Sequence, residues 1–306
     1  MNVALAILPI AITILCGCLL VQCKMVPRAQ WAGIELLAYR LLIPAILISA
    51  ISGAEIEFVA FGRLITVLLG SLTLAGCAML GLRLFLNKSR LPNPALTTLF
   101  QTTTRWNGFI ALAIVQLAVG DGGLAMVALI MAVMIPFINV ANIVVLAAYG
   151  PANPSFVLIA KAVTTNPMVQ GCVIGLCVNL SGIPLAEPIR QALDLVGRGA
   201  IGIEILAVGA SIEPLRLFEG SGLLWLGVVS RLLFCPALFL LFAGMVGLSE
   251  METFIGAIAL GVPAASGGYI IARQMGGDAE LYAEIVAWQT IVSMFVLPCY
   301  MLLLLA

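Results

Sequence analysis

The sequence predicts an all-α membrane protein of ten transmembrane helices, built as two five-helix repeats of opposite orientation, with the fourth and ninth helices broken. Three observations carry this expectation. Of 306 residues, 63% are apolar and only 9% are charged, against roughly 25% charged in a soluble domain. So much apolar surface cannot be hidden from water in a soluble fold, and lipid is the expected solvent. The apolar residues fall into ten stretches, and the second five resemble the first five at a nearly constant offset.

A bilayer core of roughly 30 Å needs about 20 apolar residues per helix. The ten stretches run approximately over residues 3–22, 33–52, 64–85, 96–119, 124–148, 158–181, 191–211, 221–246, 253–275 and 280–305. The first has no basic residue before it and no small-x-small cleavage site, so it is expected to be a retained helix rather than a signal peptide. Turn chemistry and charge punctuate the chain at Lys24–Arg28, Asn87–Pro94 and Gly150–Pro154. No polar stretch is long enough for a soluble domain. One transmembrane domain over residues 1–306 is expected, with repeat halves 1–150 and 158–306.

The repeat shows when the chain is laid on itself. Pro9, Gly17 and Arg40 recur 158 positions later as Pro167, Gly175 and Arg198. Pro27 corresponds to Pro184, Gly62 to Gly222, Gly108-Phe109 to Gly268-Tyr269 and Asp121 to Asp278. Five helices per repeat is an odd number, so the second repeat must enter the membrane from the opposite side. Inverted repeats of this kind supply secondary transporters with two related conformations.

Several function classes are excluded or disfavoured. The chain has no histidine, which removes Ser-His nucleophiles, HExxH zinc sites and histidine proton relays. No enzyme activity and no cofactor are expected. The eight cysteines lie in or beside apolar runs and are read as small buried hydrophobes with free thiols. A zero net charge gives no reason to expect nucleic acid as a partner. Gly197–Gly202 spells G-x-G-x-x-G, yet it opens a membrane helix and lacks the preceding strand that a dinucleotide site needs.

The fourth and ninth stretches differ from the rest. One contains Thr102-Thr103-Thr104-Arg105-Trp106-Asn107-Gly108, the other Gly261-Val262-Pro263-Ala264-Ala265-Ser266-Gly267-Gly268-Tyr269. Proline, paired glycines and asparagine weaken a helix. Helix breaks at matching places in two halves point to a transporter's binding site; close packing through small residues is the alternative. The candidate substrate-binding residues are Asn107, Gly108, Arg105, Pro263, Ser266, Gly267, Gly268 and Tyr269. Glu204 and Arg231 lie in the middle of stretches seven and eight, where charge is costly, and are expected to serve either as a structural ion pair or in coupling. Arg273 is expected at a helix end, and Arg40 and Arg198 are expected to reach toward headgroups.

Arg105-Trp106-Asn107-Gly108-Phe109, Pro136-Phe137-Ile138-Asn139-Val140, Asn166-Pro167 and Ala272–Asp278 together resemble the auxin efflux carrier family over nearly the whole chain. Bacterial members of that family include permeases for malonate, malate and similar organic anions. The resemblance implies a fold like that of the bile acid sodium symporters, with helices four and nine crossed and a substrate site at the crossing, here Asn107 and Pro263–Gly268. Two departures stand out. The long mid-chain loop of the plant carriers is absent, and Asn107-Gly108 replaces the proline expected in helix four.

The functional expectation is a secondary active carrier of small organic anions, such as mono- or dicarboxylates or auxin-like acids, working by alternating access. The alternative is a sodium-coupled carrier of the bile acid symporter type. The expected partners are the organic anion and the lipid bilayer, and a homodimer stays open. Lys24, Arg28, Lys88, Arg90, Lys161 and Arg216 follow odd-numbered helices, and only Arg63 and Arg190 follow even-numbered ones. By the positive-inside rule the expected location is a cell inner membrane, multi-pass, with both termini on the periplasmic side.

Overall fold

A computed structural model of the chain describes residues 3–54, 58–150, 157, 161, 164–212 and 221–305. Among them the chain is all-helical, without strands. The helices are α1 (Val3–Gln22), α2 (Arg28–Ser52), α3 (Phe58–Gly81), α4a (Asn93–Thr104), α4b (Gly108–Val119) and α5 (Asp121–Tyr149). They continue as α6 (Pro167–Ser181), α7 (Glu187–Ser211), α8 (Gly222–Val246), α9a (Glu250–Gly261), α9b (Gly268–Met275) and α10 (Ala279–Leu305). Arg216 and the turn residues Pro151–Pro154 lie outside the described residues.

Among the described residues, five stretches are long and apolar enough to cross a membrane: Arg28–Ser52, Phe61–Leu84, Asp121–Tyr149, Gly222–Val246 and Ala279–Leu304. The protein is a multi-pass membrane protein. The other apolar stretches differ from these for visible reasons. Stretches four and nine are each cut in two, and α7 carries Glu187, Arg190, Asp194, Arg198 and Glu204 along its length.

Local chemistry sets the ends of the helices. Asn166 caps α6 by accepting from the backbone N–H groups of Met168 (2.9 Å) and Val169 (3.4 Å), with Pro167 in the first turn. Ser249 and Glu252 close α9a as a reciprocal capping box. Asp278 accepts from Leu281 N–H (3.0 Å) at the start of α10. Its own amide reaches Thr98 Oγ1 of α4a at 3.0 Å. Proline leaves a second mark. Pro44 and Pro236 each follow a wide π turn, Ala38–Leu42 in α2 and Ser230–Phe234 in α8. Proline has no N–H to donate and its ring crowds the carbonyl four residues back, so the turn opens instead of the helix ending.

The chain forms two compact units: residues 1–56, 109–136 and 160–212, and residues 57–108, 137–159 and 213–306. In the first, α1 packs on α7, α2 on both α6 and α7. Small residues permit close approach: Gly17 lies against the backbone of Leu206, and Gly209 against that of Ile14. Gly197, part of the G-x-G-x-x-G run, sits inside α7 against Ile46. In the second unit, α8 packs on α3, α4a, α9a and α10, and α9b rests on α10. The boundary between the units falls within stretch four, after Gly108, and within α5, after Pro136.

One expectation needs correction. The eight cysteines are free thiols, but only Cys172 and Cys235 are buried. Cys16, Cys77, Cys177 and Cys299 are exposed on apolar helices, where an outward thiol finds a medium as apolar as the interior, and Cys23 is exposed in the turn after α1.

Candidate functional site

The site grows from a run of threonines. Thr97, Thr98, Thr102, Thr103 and Thr104 are all buried in α4a. Thr102 and Thr104 return their hydroxyl protons to the carbonyls of Thr98 (2.9 Å) and Phe100 (2.8 Å), the usual satisfaction of a hydroxyl inside a helix. Thr103 shares a 2.6 Å hydrogen bond with Ser230 of α8. The helix ends at Thr104, Arg105 is extended (φ −70, ψ 149), and α4b begins at Gly108. In stretch nine, Pro263 supplies the break. The residue before a proline avoids the α region, and Val262 is extended (φ −72, ψ 154). α9b then starts at Gly268.

The two breaks touch. The backbone N–H of Asn107 donates to the carbonyl of Pro263 at 2.8 Å. Each break leaves carbonyls at the end of its first half without a partner in the helix, and two side chains take them. Arg231, fully buried in the π turn of α8, donates from Nε to Val262 O (2.9 Å), from Nη2 to Ala259 O (2.9 Å) and from Nη1 to Thr103 O (3.2 Å). Gln289 of α10, also fully buried, donates to Thr102 O (3.1 Å) and Gly227 O (2.9 Å). Its Oε1 accepts from Ala264 N–H at 2.9 Å. Tyr282 closes the set by donating to Ala265 O at 2.7 Å.

Arg231 thus has three hydrogen-bond partners within its own compact unit. Its guanidinium is spent on carbonyls at the C-terminal ends of α4a and α9a, where a helix end is effectively negative and a cation is favoured. Those two ends provide the compensation that a carboxylate would have given. Glu204 lies half-buried in α7, within the other compact unit.

Of the predicted residues, Arg105, Asn107, Gly108, Pro263 and Gly268 are buried, and Ser266 is half-buried. Gly267 and Tyr269 are exposed, which places them outside the buried group. Arg105 donates from Nη2 to Asn139 Oδ1 at 3.3 Å. Its side chain passes over Gly268, where a Cβ would collide with Arg105 Cδ and with the Tyr282 hydroxyl. Glycine is the residue that allows this approach. Arg273 sits exposed in the last turn of α9b, and Arg40 and Arg198 are exposed.

Sequence reasoning missed Gln289, Tyr282, Gln101 and Asn142. The signal was present for Gln289 and Asn142, since each is an amide in the middle of an apolar run, where polar groups need partners. What they bond across the fold could not be read from local spacing.

Residues 153–301, nearly half the chain, match the family model described as a membrane transport protein. The matched region contains the break in stretch nine, and the break in stretch four precedes it. The match bears out the resemblance to the auxin efflux carrier family. No curated protein matches the chain.

Proposed function

We propose that this auxin efflux carrier family member is a secondary active carrier of small organic anions, mono- or dicarboxylates or auxin-like acids. It works by alternating access through ten membrane-spanning segments arranged as two inverted repeats. The observation that carries this reading is the meeting of the two helix breaks, Asn107 N–H on Pro263 O at 2.8 Å. Arg231 and Gln289 neutralise the C-terminal ends of the first halves. The second halves begin at Gly108 and Gly268, and helix N-termini favour a carboxylate. Arg105 adds a positive charge beside Gly268, and the amide of Asn107 and the hydroxyl of Ser266 are suited to orient the anion. The boundary between compact units falls at the break in stretch four, a natural place for a hinge in a carrier.

Asn107→Ala tests the site. Losing a hydrogen bond to a charged group costs about 1.5–3 kcal/mol, which corresponds to an affinity loss of roughly tenfold to a hundredfold. Carboxylate uptake into proteoliposomes should show that loss while expression and melting temperature stay near wild type. Transport with unchanged affinity would move the site elsewhere. Running the same assay with and without sodium separates a sodium-coupled carrier from one that uses another gradient.

A further inference from the structure

Just before the break, the inner face of α4a carries side chains whose hydrogen-bonding capacity is left open. Gln101 is fully buried, and neither its Nε2 nor its Oε1 has a partner. Arg105, one helical turn on, is 8% exposed, and its Nε has none. Asn142 of α5 is fully buried: its Nδ2 donates to Thr104 Oγ1 (3.1 Å) and Ile138 O (2.8 Å), but its Oδ1 accepts nothing. Two rungs join the elements, Thr104 with Asn142 and Arg105 with Asn139. These rungs join the end of α4a to the second half of α5 within one compact unit, and Gln101 lies one helical turn before Arg105 on α4a.

Buried polar groups are almost always paired, so this concentration of open atoms calls for an occupant. The open donors, Arg105 Nε and Gln101 Nε2, suit an anionic oxygen, and the guanidinium charge selects an anion over a cation. The open acceptors, Gln101 Oε1 and Asn142 Oδ1, need an O–H or N–H that a plain carboxylate does not have. We infer that Gln101 and Asn142 are specificity-determining residues that select anions carrying a hydrogen-bond donor beside the carboxylate, such as hydroxy acids. This rests on the anion-carrier reading above and refines it. Gln101, Arg105 and Asn142 are buried in this conformation, so entry of an anion requires the seam between α4a and α5 to open. A site built to hydrogen-bond a hydroxyl rejects the analogue that lacks it, because its own buried groups are then stranded.

The test uses the full chain in lipid nanodiscs and matched acids that differ by one hydroxyl: glycolate against acetate, lactate against propionate, tartronate against malonate. Calorimetric titration of the wild type should show at least one hydroxy acid binding tenfold or more tighter than its partner. Gln101→Leu should bring that ratio close to one, because the hydroxy acid loses both the donor and the acceptor of that amide whereas the plain acid loses only the donor. Equal wild-type affinities within every pair overturn the inference and leave the carrier reading standing. A ratio that survives Gln101→Leu assigns the selection to other residues and likewise overturns it. Binding of none of these acids, with the protein intact by its melting transition, overturns the anion site itself. The wild-type ratio needs no variant to fold, so the inference stays open to refutation in any case.

Discussion

At the scale of single residues, the buried guanidinium of Arg231 is the most consequential group. It bonds three carbonyls belonging to two broken helices. Arg231→Ala removes all three donors at once and leaves buried acceptors open, each worth about 1–3 kcal/mol. A substantially lower melting temperature is expected of the purified variant. Glu204→Gln should have its own, smaller effect, because the three partners of Arg231 lie within its own compact unit. Sites without shared partners add, so the double variant should lose the sum of the two. A double variant milder than Arg231→Ala alone would restore the ion pair. Glu204 and Arg231 were both visible in the sequence as charges in apolar runs. Their partners were not, because a helix C-terminus created by a break at Thr104 or Gly261 has no signature at the position of the side chain that caps it.

At the scale of elements, close packing depends on where glycine sits. Gly17 in α1 and Gly209 in α7 face the neighbouring helix's backbone, and a Cβ on either would run into a carbonyl oxygen. Gly62 and Gly70 in α3 have open space around them. Gly17→Ala and Gly209→Ala should each destabilise by about 1–3 kcal/mol or more through overpacking. Gly62→Ala and Gly70→Ala should be neutral or stabilising by about 0.5–1 kcal/mol, since glycine is costly inside a helix. Thermal melts of the four variants check this, and equal effects at all four positions would refute the packing argument. In sequence, these four glycines look alike. The capping residues are different: Asn166-Pro167, Ser249 with Glu252, and Gly268 after a proline-containing break all act on their own backbone, within a few residues, and are legible for that reason.

At the scale of the whole molecule, the orientation in the membrane follows from charge. Lys24, Arg28, Lys88 and Arg90 follow odd-numbered stretches, and few basic residues follow even ones. Basic loops stay on the cytoplasmic side, so both termini should face outward. A C-terminal reporter that fluoresces only in the cytoplasm should stay dark in intact cells; a bright one reverses the assignment.

The all-helical membrane class, the approximate ends of the apolar stretches and the two interrupted helices were determined by the sequence alone. Each of these depends on local quantities: apolar content over about 20 residues, and the presence of Pro, Gly or Asn at a given position. The tertiary structure decided what those interruptions are for. Asn107 on Pro263, Arg231 across Thr103, Ala259 and Val262, and Gln289 between Thr102, Gly227 and Ala264 join residues far apart in the chain. A buried donor accepts whichever carbonyl the packing brings near it, and in a chain made of similar apolar helices that choice is set by the fold as a whole.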